Sequence, residues 1–286
     1  MKKKCVLVTG GAGFVGSGLC KELVVQGHQV YSLDNYFTGT ELNHVDSVTY
    51  IRGTTSDIKE LITFTPDLIF HLGEYSRVEQ SFEDIDLVWR FNRDGIVAVL
   101  EFCRAKGCKI VYAGSSTKFG DGGLGRMQSP YAWSKASNTE LVMCYGNWFK
   151  IPYAITYFYN VYGDQEISDG RYATLIGIFK ERMKNNLPMS VVLPGTQIRN
   201  FTHIDDIVAG LMLVGEHGSG DEYGIGCKES FSVREVAEMF GGEIEFLPER
   251  PGNRLTADVV TEKTLALGWR SKRSLQDYIK NLRALK

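Results

Sequence analysis

The feature that most constrains the fold of this 286-residue chain is a glycine-rich turn close to its first residues. A short apolar run, Cys5-Val6-Leu7-Val8, leads into Thr9-Gly10-Gly11-Ala12-Gly13-Phe14-Val15-Gly16, and a helical pattern of apolar residues follows up to Gly27. Strand, glycine turn and helix in this order are the context that a dinucleotide-binding fingerprint requires. The glycines allow a tight turn, and the free N–H groups of the helix N-terminus can then bind a pyrophosphate. The residues expected to contact the dinucleotide here are Gly10, Gly11, Gly13, Phe14, Val15 and Gly16.

An acidic residue stands at the end of the second predicted strand. The run Gln29-Val30-Tyr31-Ser32-Leu33 is followed by Asp34 and Asn35, at about the ~20-residue distance where an acid can accept hydrogen bonds from a ribose diol. A carboxylate at this position also repels a 2′-phosphate, so the sequence favours NAD over NADP. The alternative is that Asp34 only caps a loop.

Strands and helices alternate through the rest of the first half. Apolar runs at 48–53, 67–73 and 109–116 are typical of buried strands, and residues 82–106 have mainly helical periodicity. This alternation predicts an α/β fold with a Rossmann-type doubly wound parallel sheet, whose ligands gather at the carboxyl ends of the strands. Residues expected to share that edge are Gly10, Asp34, Gly73 and Ser115, with Asp57 and Ile58 beside the adenine.

Tyr131 and Lys135 lie four positions apart in the stretch Ser129-Pro130-Tyr131-Ala132-Trp133-Ser134-Lys135. If residues 131–148 form a helix, both side chains lie on one face, about one turn apart. The ammonium would favour the phenolate form of the tyrosine, which could then act as a base near neutral pH. The spacing alone also fits an ordinary surface tyrosine and lysine, so its meaning depends on the other motifs.

Composition limits the class of partner. The net charge of −2 gives no basic surface for nucleic acid or for an anionic membrane, which favours a small-molecule partner. No stretch approaches the ~20 apolar residues of a membrane span, and the apolar run after the basic start is too short for a signal peptide. The six cysteines lie mostly in apolar segments without metal-type spacing. We therefore expect a cytoplasmic protein with reduced thiols and no metal site.

Taken in order, the motifs resemble the extended short-chain dehydrogenase/reductase family, and within it the nucleotide-sugar epimerase/dehydratase branch. The resemblance is carried by 9–16, Asp34-Asn35, Asp57-Ile58, His71-Leu72, Asn92, Ser115-Ser116, Tyr131 with Lys135, and Tyr159-Asn160-Val161-Tyr162-Gly163. It implies that Tyr131 is the catalytic acid/base, that Lys135 supports it and holds the nicotinamide ribose, and that Ser115 hydrogen-bonds the reacting sugar hydroxyl. It also implies a homodimer formed by the helices near 82–106 and 131–148. The NAD contacts that it implies beyond the glycine turn are Asp34, Asn35, Asp57, Ile58, Leu72, Asn92 and Lys135.

The second half resembles the nucleotide-sugar-binding part of that family. The resemblance implies contacts from Asn160, Arg199 and Arg250 to the substrate diphosphate, and a guanidinium fork matches phosphate geometry. The alternative for each arginine is a surface ion pair. Around the sugar we expect Glu74, Arg77 and Ser116, next to a shortened, glycine-rich loop at 120–130. Two asparagines, Asn200 and Asn253, stand where the family usually has acids.

The residues after Ser115 bear on the reaction. Ser116 and Thr117 stand where the 4,6-dehydratases of this branch carry Asp and Glu, and neither can act as a carboxylic acid. Thr117 also replaces the glutamate usual in sugar-nucleotide decarboxylases. The remaining chemistry needs only Ser115, Tyr131, Lys135 and NAD, which predicts a nucleotide-sugar 4-epimerase that acts by transient oxidation at C4. The alternatives are a nucleotide-sugar 4-dehydrogenase or 4-keto reductase and, from another class, a non-enzymatic NAD-binding protein.

The same reading divides the chain into two domains. We expect an NAD-binding domain over residues 1–163 and a smaller, mixed α/β substrate-binding domain over 164–286. A segment at about 200–215 is expected to return to the first domain, and an amphipathic pattern predicts a helix over 172–184.

Overall fold

The computed structural model of the chain describes residues 3–252, 255–256 and 258–285. Its strands are β1 (Cys5–Thr9), β2 (Gln29–Asp34), β3 (Val48–Arg52), β4 (Leu68–His71), β5 (Lys109–Ser115), β6 (Tyr153–Phe158), β7 (Val161–Tyr162), β8 (Met189–Val192), β9 (Ile198–Asn200), β10 (Thr202–His203), β11 (Gly220–Ile225), β12 (Ser230–Ser232) and β13 (Ile244–Leu247). Its α-helices are α1 (Phe14–Val25), α2 (Ile58–Leu61), α3 (Ile85–Val88), α4 (Gly95–Lys106), α5 (Pro130–Phe149), α6 (Leu175–Lys184), α7 (Ile204–His217), α8 (Val233–Phe240), α9 (Glu262–Ala266) and α10 (Leu275–Ala284).

Seven parallel strands form the main sheet, in the order β3-β2-β1-β4-β5-β6-β11. The chain begins in the middle of the sheet, runs outward to β3, and then returns to β4 to build the other side. The direction of strand order reverses between β1 and β4, which is where sheets of this kind bind ligands. The predicted doubly wound parallel sheet is confirmed.

Side chains that alternate along the strands supply two apolar layers, one on each face of the sheet. In β1, Leu7 packs with α4 and α5 on one face, whereas Val6 and Val8 pack with α1 and α7 on the other. Because both faces are covered, the strands are apolar throughout rather than alternating with polar residues. The glycine turn after β1 is therefore held between two packed layers.

The predicted helix over 82–106 is interrupted in the structure. Only α3 and α4 are α-helical, and the intervening Trp89–Asp94 is a π-helical segment. A Cβ at Gly95 would lie 2.4 Å from the Thr55 hydroxyl oxygen, so glycine allows α4 to begin against the loop after β3. The π-helical turn also aims the Asn92 side chain inward, at the segment that follows β4.

The second half builds a smaller apolar cluster beside the main sheet. Helices α6, α8 and α10 pack around the β8–β13 pair, with Phe179, Val236 and Ile279 at the centre of the cluster. Helix α6 begins later than predicted because the Thr174 hydroxyl caps it by accepting from the Gly177 backbone N–H at 3.1 Å. Residues 172 and 173 therefore lie outside the helix.

Part of the second half belongs structurally with the main sheet. Helix α7 packs against α1, and β11 pairs with β6 at the sheet edge. The segment that returns to the main sheet thus extends to Ile225, beyond the predicted 200–215. The boundary between two domains stays a prediction. None of the described helices is long and apolar enough to cross a membrane.

Candidate active site

A cavity of about 910 Å³ opens at the carboxyl ends of the central strands. This volume lies within the ~300–1,000 Å³ that is usual for small-molecule sites. The glycine turn forms one end, the ends of β2, β4 and β5 and the start of α5 form the floor, and loops of the second half form the far wall. Of the predicted site residues, those that line it are Gly10, Gly13, Phe14, Val15, Gly16, Asp34, Asn35, Leu72, Glu74, Arg77, Ser115, Ser116, Tyr131, Lys135, Asn160, Arg199 and Arg250.

The glycine turn has no room for larger side chains. A Cβ at Gly16 would lie 2.0 Å from the Gly10 carbonyl oxygen, and Gly10 itself has a φ of +74°. Gly11 instead packs beneath the turn, where a Cβ would lie 2.4 Å from the Ser32 hydroxyl oxygen. The turn can therefore bring backbone N–H groups close to a pyrophosphate, which side chains at these positions would prevent.

Asp34 is fixed beside this turn. Its two carboxylate oxygens accept from the backbone N–H groups of Ala12 and Tyr36 at 2.9 and 2.8 Å. Burial raises the pKa of the Asp34 carboxyl, although these two hydrogen bonds act in the opposite direction. A carboxylate at the end of β2 next to a glycine turn fits the adenosine ribose of a dinucleotide. The residues at this end of the cavity thus fit NAD.

The predicted catalytic residues come from two neighbouring elements. Ser115 is the last residue of β5, and Tyr131 and Lys135 lie in the first two turns of α5. The Ser129 side chain caps α5 by accepting from the Ala132 backbone N–H at 3.0 Å, and Pro130 takes the first helical position. The three side chains line the same cavity as Gly10 and Gly13.

Ser115 is oriented by Thr117. The Thr117 hydroxyl donates to the Ser115 oxygen at 2.9 Å, and the Thr117 backbone N–H approaches the same oxygen at 3.3 Å. Because the Ser115 oxygen accepts from Thr117, its own hydrogen is available for a ligand in the cavity. Thr117 therefore orients the Ser115 hydroxyl toward the cavity.

The Glu74 carboxylate lies under Lys135 in the interior. It accepts from the Lys135 ammonium and from the Tyr112 hydroxyl, the latter at 2.9 Å, and only 2% of its side chain is exposed. The Lys135 ammonium also donates to the Ala113 carbonyl oxygen. Glu74 lines the cavity but its carboxylate is engaged by Lys135 and Tyr112, so its contact with the sugar stays a prediction.

Besides Gly11, three predicted cofactor contacts do not line the cavity. Asn92 is fully buried and does not line the cavity; it accepts from the Tyr75 backbone N–H at 2.7 Å and donates to the Ser134 hydroxyl oxygen at 3.0 Å. Ile58 is fully buried in the core. Asp57 accepts from the Thr54 hydroxyl at 2.7 Å and also lies outside the cavity lining. Asn92 thus ties the segment after β4 to α5, which positions Lys135 indirectly.

The predicted phosphate contacts lie on the far wall. Asn160 donates to the Asn200 carbonyl oxygen at 2.8 Å, and Arg199 donates to the Ile198 carbonyl oxygen at 2.9 Å. Arg250 pairs with Glu79 at 2.7 Å, so a ligand phosphate would have to compete with that carboxylate. Asn253, named with these residues in the sequence, lies outside the described residues.

Arg77 and Ser116 also line the cavity, as predicted for residues around a sugar. The Arg77 Nε donates to the Tyr172 carbonyl oxygen at 2.7 Å, which ties the loop after β4 to the second half of the chain. Burial lowers the pKa of Arg77, and the nearby phenols, Tyr131 first among them, act in the opposite direction.

The glycine-rich loop at 120–130 is tied to the second half of the chain. The Asp121 carboxylate accepts from the backbone N–H groups of Leu255 and Thr256 at 3.1 and 3.0 Å. Gly125 packs closely, since a Cβ there would lie 2.3 Å from the Thr117 carbonyl oxygen. The loop therefore forms a packed edge of the site next to Thr117.

Glu166 is a cavity residue that the sequence did not single out. Its carboxylate accepts from the Thr174 hydroxyl and lies 3.9 Å from the Lys180 ammonium. Burial raises its pKa to about 7, against the opposing effects of Thr174 and Lys180. In the sequence, the feature that could have pointed to Glu166 as a site residue is its position three residues after the Tyr-Asn-Val-Tyr-Gly motif.

Within the part of the chain that the structure describes, no group of three His, Cys, Asp or Glu side chains could hold a metal ion. The six cysteines are all free thiols.

Comparison with known proteins agrees with this geometry. A family model described as the NAD dependent epimerase/dehydratase family matches residues 6–226. A putative UDP-glucose 4-epimerase from Methanocaldococcus jannaschii is 29% identical over 97% of this chain and 96% of its own length. A UDP-N-acetyl-alpha-D-glucosaminuronate decarboxylase from Bacillus cytotoxicus is 31% identical over 83% of this chain and 79% of its own.

A solved structure shows the same fold over nearly the whole length. The UDP-glucose 4-epimerase of Thermus thermophilus, in complex with NAD, superposes with a TM-score of 0.88 at 27% identity and covers 98% of this chain and 99% of its own. The sheet order, the glycine turn and the match over residues 6–226 lead to one assignment. The chain belongs to the NAD-dependent epimerase/dehydratase family, an extended short-chain dehydrogenase/reductase family.

Proposed function

We propose that this chain is a nucleotide-sugar 4-epimerase that uses NAD and acts by transient oxidation of the sugar at C4. The observation that carries the proposal is the convergence of Ser115, Tyr131 and Lys135 on the cavity that contains the glycine turn and Asp34. A dinucleotide would place its adenosine ribose at Asp34 and its pyrophosphate at the glycine turn. Its nicotinamide end would then extend toward these three side chains.

The residues have separate roles in the proposed reaction. Bound NAD supplies the acceptor that takes the hydride from C4 and later returns it to the other face of the keto-sugar. Tyr131, as the phenolate, would accept the proton of the C4 hydroxyl and become a phenol, and it would return that proton when the hydroxyl reforms. The Ser115 hydroxyl, oriented by Thr117, donates to the same sugar oxygen. Lys135, one helical turn after Tyr131 and in the same cavity lining, would hold the ribose of the dinucleotide.

The substrate side of the cavity supports a nucleotide sugar. Asn160, Arg199 and Arg250 would contact the diphosphate, since guanidinium groups match phosphate geometry. Arg77 and Ser116 would contact the sugar. The two lining residues directly after Ser115 are Ser116 and Thr117, and neither is a carboxylic acid that could catalyse the elimination of water. This supports epimerisation over dehydration.

The net reaction is the finer part of the proposal. A 4-dehydrogenase would use the same three residues but would exchange its dinucleotide with solution at every turnover. It would produce one equivalent of NADH per sugar, visible as absorbance growing with substrate. An epimerase would form at most one equivalent of NADH per protein active site, however much sugar is added.

The test is an NMR assay of the purified protein with UDP-, dTDP-, GDP- and CDP-hexoses, preceded by mass spectrometry of any ligand that copurifies. We expect one of these sugars to be converted to its C4 epimer until both epimers are at equilibrium. Turnover of none of them, with NAD bound to the protein, would reject the proposed reaction.

A further inference from the structure

Glu74 has no part in the proposed reaction, yet it forms a buried ion pair with Lys135, which does. Only 2% of the Glu74 side chain and 6% of the Lys135 side chain are exposed. A carboxylate in such a position is costly unless every lone pair finds a donor. The position of this costly carboxylate next to Lys135 suggests that Glu74 has a functional role.

Three side chains donate hydrogen bonds to the carboxylate. One oxygen accepts from Lys135 and from the Tyr112 hydroxyl at 2.9 Å, and the other accepts from the Asn138 amide at 3.1 Å. The His71 Nε2 faces that second oxygen at 3.4 Å. These groups come from α5, β5 and β4, so the surrounding elements fix the carboxylate in place.

His71 lies between Glu74 and Thr9. The Thr9 hydroxyl oxygen accepts from the Gly73 backbone N–H at 3.0 Å and lies 2.8 Å from the His71 Nδ1. The other ring nitrogen, Nε2, approaches the Glu74 carboxylate at 3.4 Å without forming a hydrogen bond. Glu74 therefore lies between Lys135 and the histidine at the end of β4.

Glu74 stays ionised through the working pH range. Burial alone would raise its pKa, but the Lys135 ammonium and His71 lower the pKa to about 2. The pair therefore carries no net charge, and the side of the cavity that faces a nicotinamide lacks the positive charge that a lone lysine would give it.

The geometry points to Glu74 as a positioning residue that balances the charge of Lys135, so that the bound dinucleotide remains in its oxidised, cationic form between hydride transfers. This inference rests on the proposed function. In that reaction C4 of the sugar loses a hydride to the nicotinamide and its hydroxyl loses a proton to Tyr131, so the alcohol becomes a ketone while the cationic ring becomes neutral. A positive charge beside the ring favours the neutral, reduced form, and Glu74 opposes this effect.

The test measures the dissociation constants of NAD⁺ and NADH for the nucleotide-free protein, by NADH fluorescence and by competition with NAD⁺. Glu74→Gln keeps the size and an acceptor oxygen but removes the charge. We expect the ratio of the NAD⁺ constant to the NADH constant to rise on the order of tenfold, because an uncompensated charge near the ring disfavours the cation. A merely structural role would weaken both ligands equally and leave the ratio unchanged.

Glu166→Gln, measured at a pH well above the pKa of about 7 of the Glu166 carboxyl, is the matched control, because at that pH it neutralises another buried carboxylate of the same cavity whose partners are Thr174 and Lys180. Its ratio should stay within about twofold of wild type. Glu74→Asp, which keeps the charge, should restore most of the wild-type ratio. If Glu74→Gln does not fold, Lys135→Met is used instead. Removal of the positive charge should lower the ratio of the NAD⁺ constant to the NADH constant.

A ratio within twofold of wild type in both Glu74→Gln and Lys135→Met would overturn the inference. The result is separable from the proposed function, since it needs no sugar. A protein that epimerises sugars with unchanged ratios refutes only the role of Glu74. A protein with shifted ratios that converts no sugar confirms the charge balance and refutes only the reaction.

Discussion

The phenol of Tyr131 carries the proton transfer of the proposed reaction, and it makes the first prediction at the scale of single residues. Tyr131→Phe removes the group that takes the hydroxyl proton but leaves the glycine turn and Asp34 intact. We expect NAD to remain bound while turnover falls by at least ~100-fold, in the range typical for loss of a general base. Turnover is measured by NMR and NAD content by mass spectrometry.

Tyr145→Phe is the matched control for this variant. Tyr145 lies on the same helix, α5, but donates to the Glu101 carboxylate at 2.9 Å and does not line the cavity. We expect near-wild-type turnover in this control. Wild-type turnover in Tyr131→Phe would remove the tyrosine from the mechanism.

Glu166 gives a prediction about pH. Burial raises the pKa of this carboxyl to about 7, whereas a glutamate in an unfolded chain titrates near ~4.3. Between these values the folded protein holds a proton that the unfolded chain has released, so stability falls as pH rises. Glu166→Gln should therefore gain free energy of unfolding relative to wild type as pH increases from about 5 to about 8, by up to ~3 kcal/mol.

Urea unfolding of both proteins at several pH values checks this prediction. Below about pH 4 the carboxyl is protonated in both states, so the difference between the two proteins should be constant there. A difference that does not change with pH between 5 and 8 would mean that Glu166 is ionised in the folded protein.

At this scale the sequence identified the residues whose chemistry is local to a motif and missed those that act through a distant partner. Ser115, Tyr131 and Lys135 were predicted together, and all line the cavity. The role of Glu74 depends on Lys135, 61 positions away, and on burial that no spacing reveals. Asn92 was assigned to the cofactor by the family resemblance, and its contacts with Tyr75 and Ser134 could not be predicted because only the fold brings these residues to it.

Among the elements, helix α5 is the one on which the site depends, and its cap gives a prediction. Ser129→Ala removes the acceptor for the Ala132 backbone N–H. Loss of a serine N-cap costs about 1 kcal/mol, and turnover should fall as well, because Tyr131 and Lys135 lie in the first two turns. Urea unfolding and the NMR assay measure the two effects.

The matched control is Ser274→Ala, which removes a serine cap of the same kind from α10, where the hydroxyl accepts from the Asp277 backbone N–H at 3.1 Å. Helix α10 does not line the cavity. We expect a similar loss of stability with unchanged turnover. Equal turnover in both variants would show that the start of α5 does not position the site.

Elements with strong local signals were predicted well, and those set by packing were not. The first five strands and α5 follow apolar runs or a Ser-Pro start, which are recognisable in the sequence. The break between α3 and α4 arises from contacts of Gly95 with Thr55 and of Asn92 with the segment after β4. The late start of α6 arises from the Thr174 cap. The apolar pattern of the two residues before Thr174 had suggested that the helix begins earlier.

For the molecule as a whole, the family resemblance predicts a homodimer through α4 and α5. Trp148, at the end of α5, is 61% exposed and Phe149 beside it is 43% exposed, which suits a covered face. We expect light scattering to give twice the chain mass, and Trp148→Glu to shift the protein toward monomer. Leu42→Glu, at a residue that is 92% exposed on another element, should leave the mass unchanged.

The order of the motifs predicted the sheet and the ligand edge correctly, because parallel strands joined by helices allow few topologies. The path of the second half was predicted less well. Strand β11 joins the main sheet beside β6, more than sixty residues after it, and nothing in its short sequence states which edge it will extend. The shape of the substrate side therefore had to come from the structure.

The central claim is that one bound NAD takes the hydrogen from C4 and returns it to the same sugar. The most direct test follows, by NMR and mass spectrometry, a nucleotide hexose that carries deuterium at C4, converted by the protein in ordinary water. The proposed mechanism predicts that the C4 epimer forms with its deuterium retained at C4. Exchange of that deuterium for hydrogen from water, or its appearance in NADH released to solution, would contradict it.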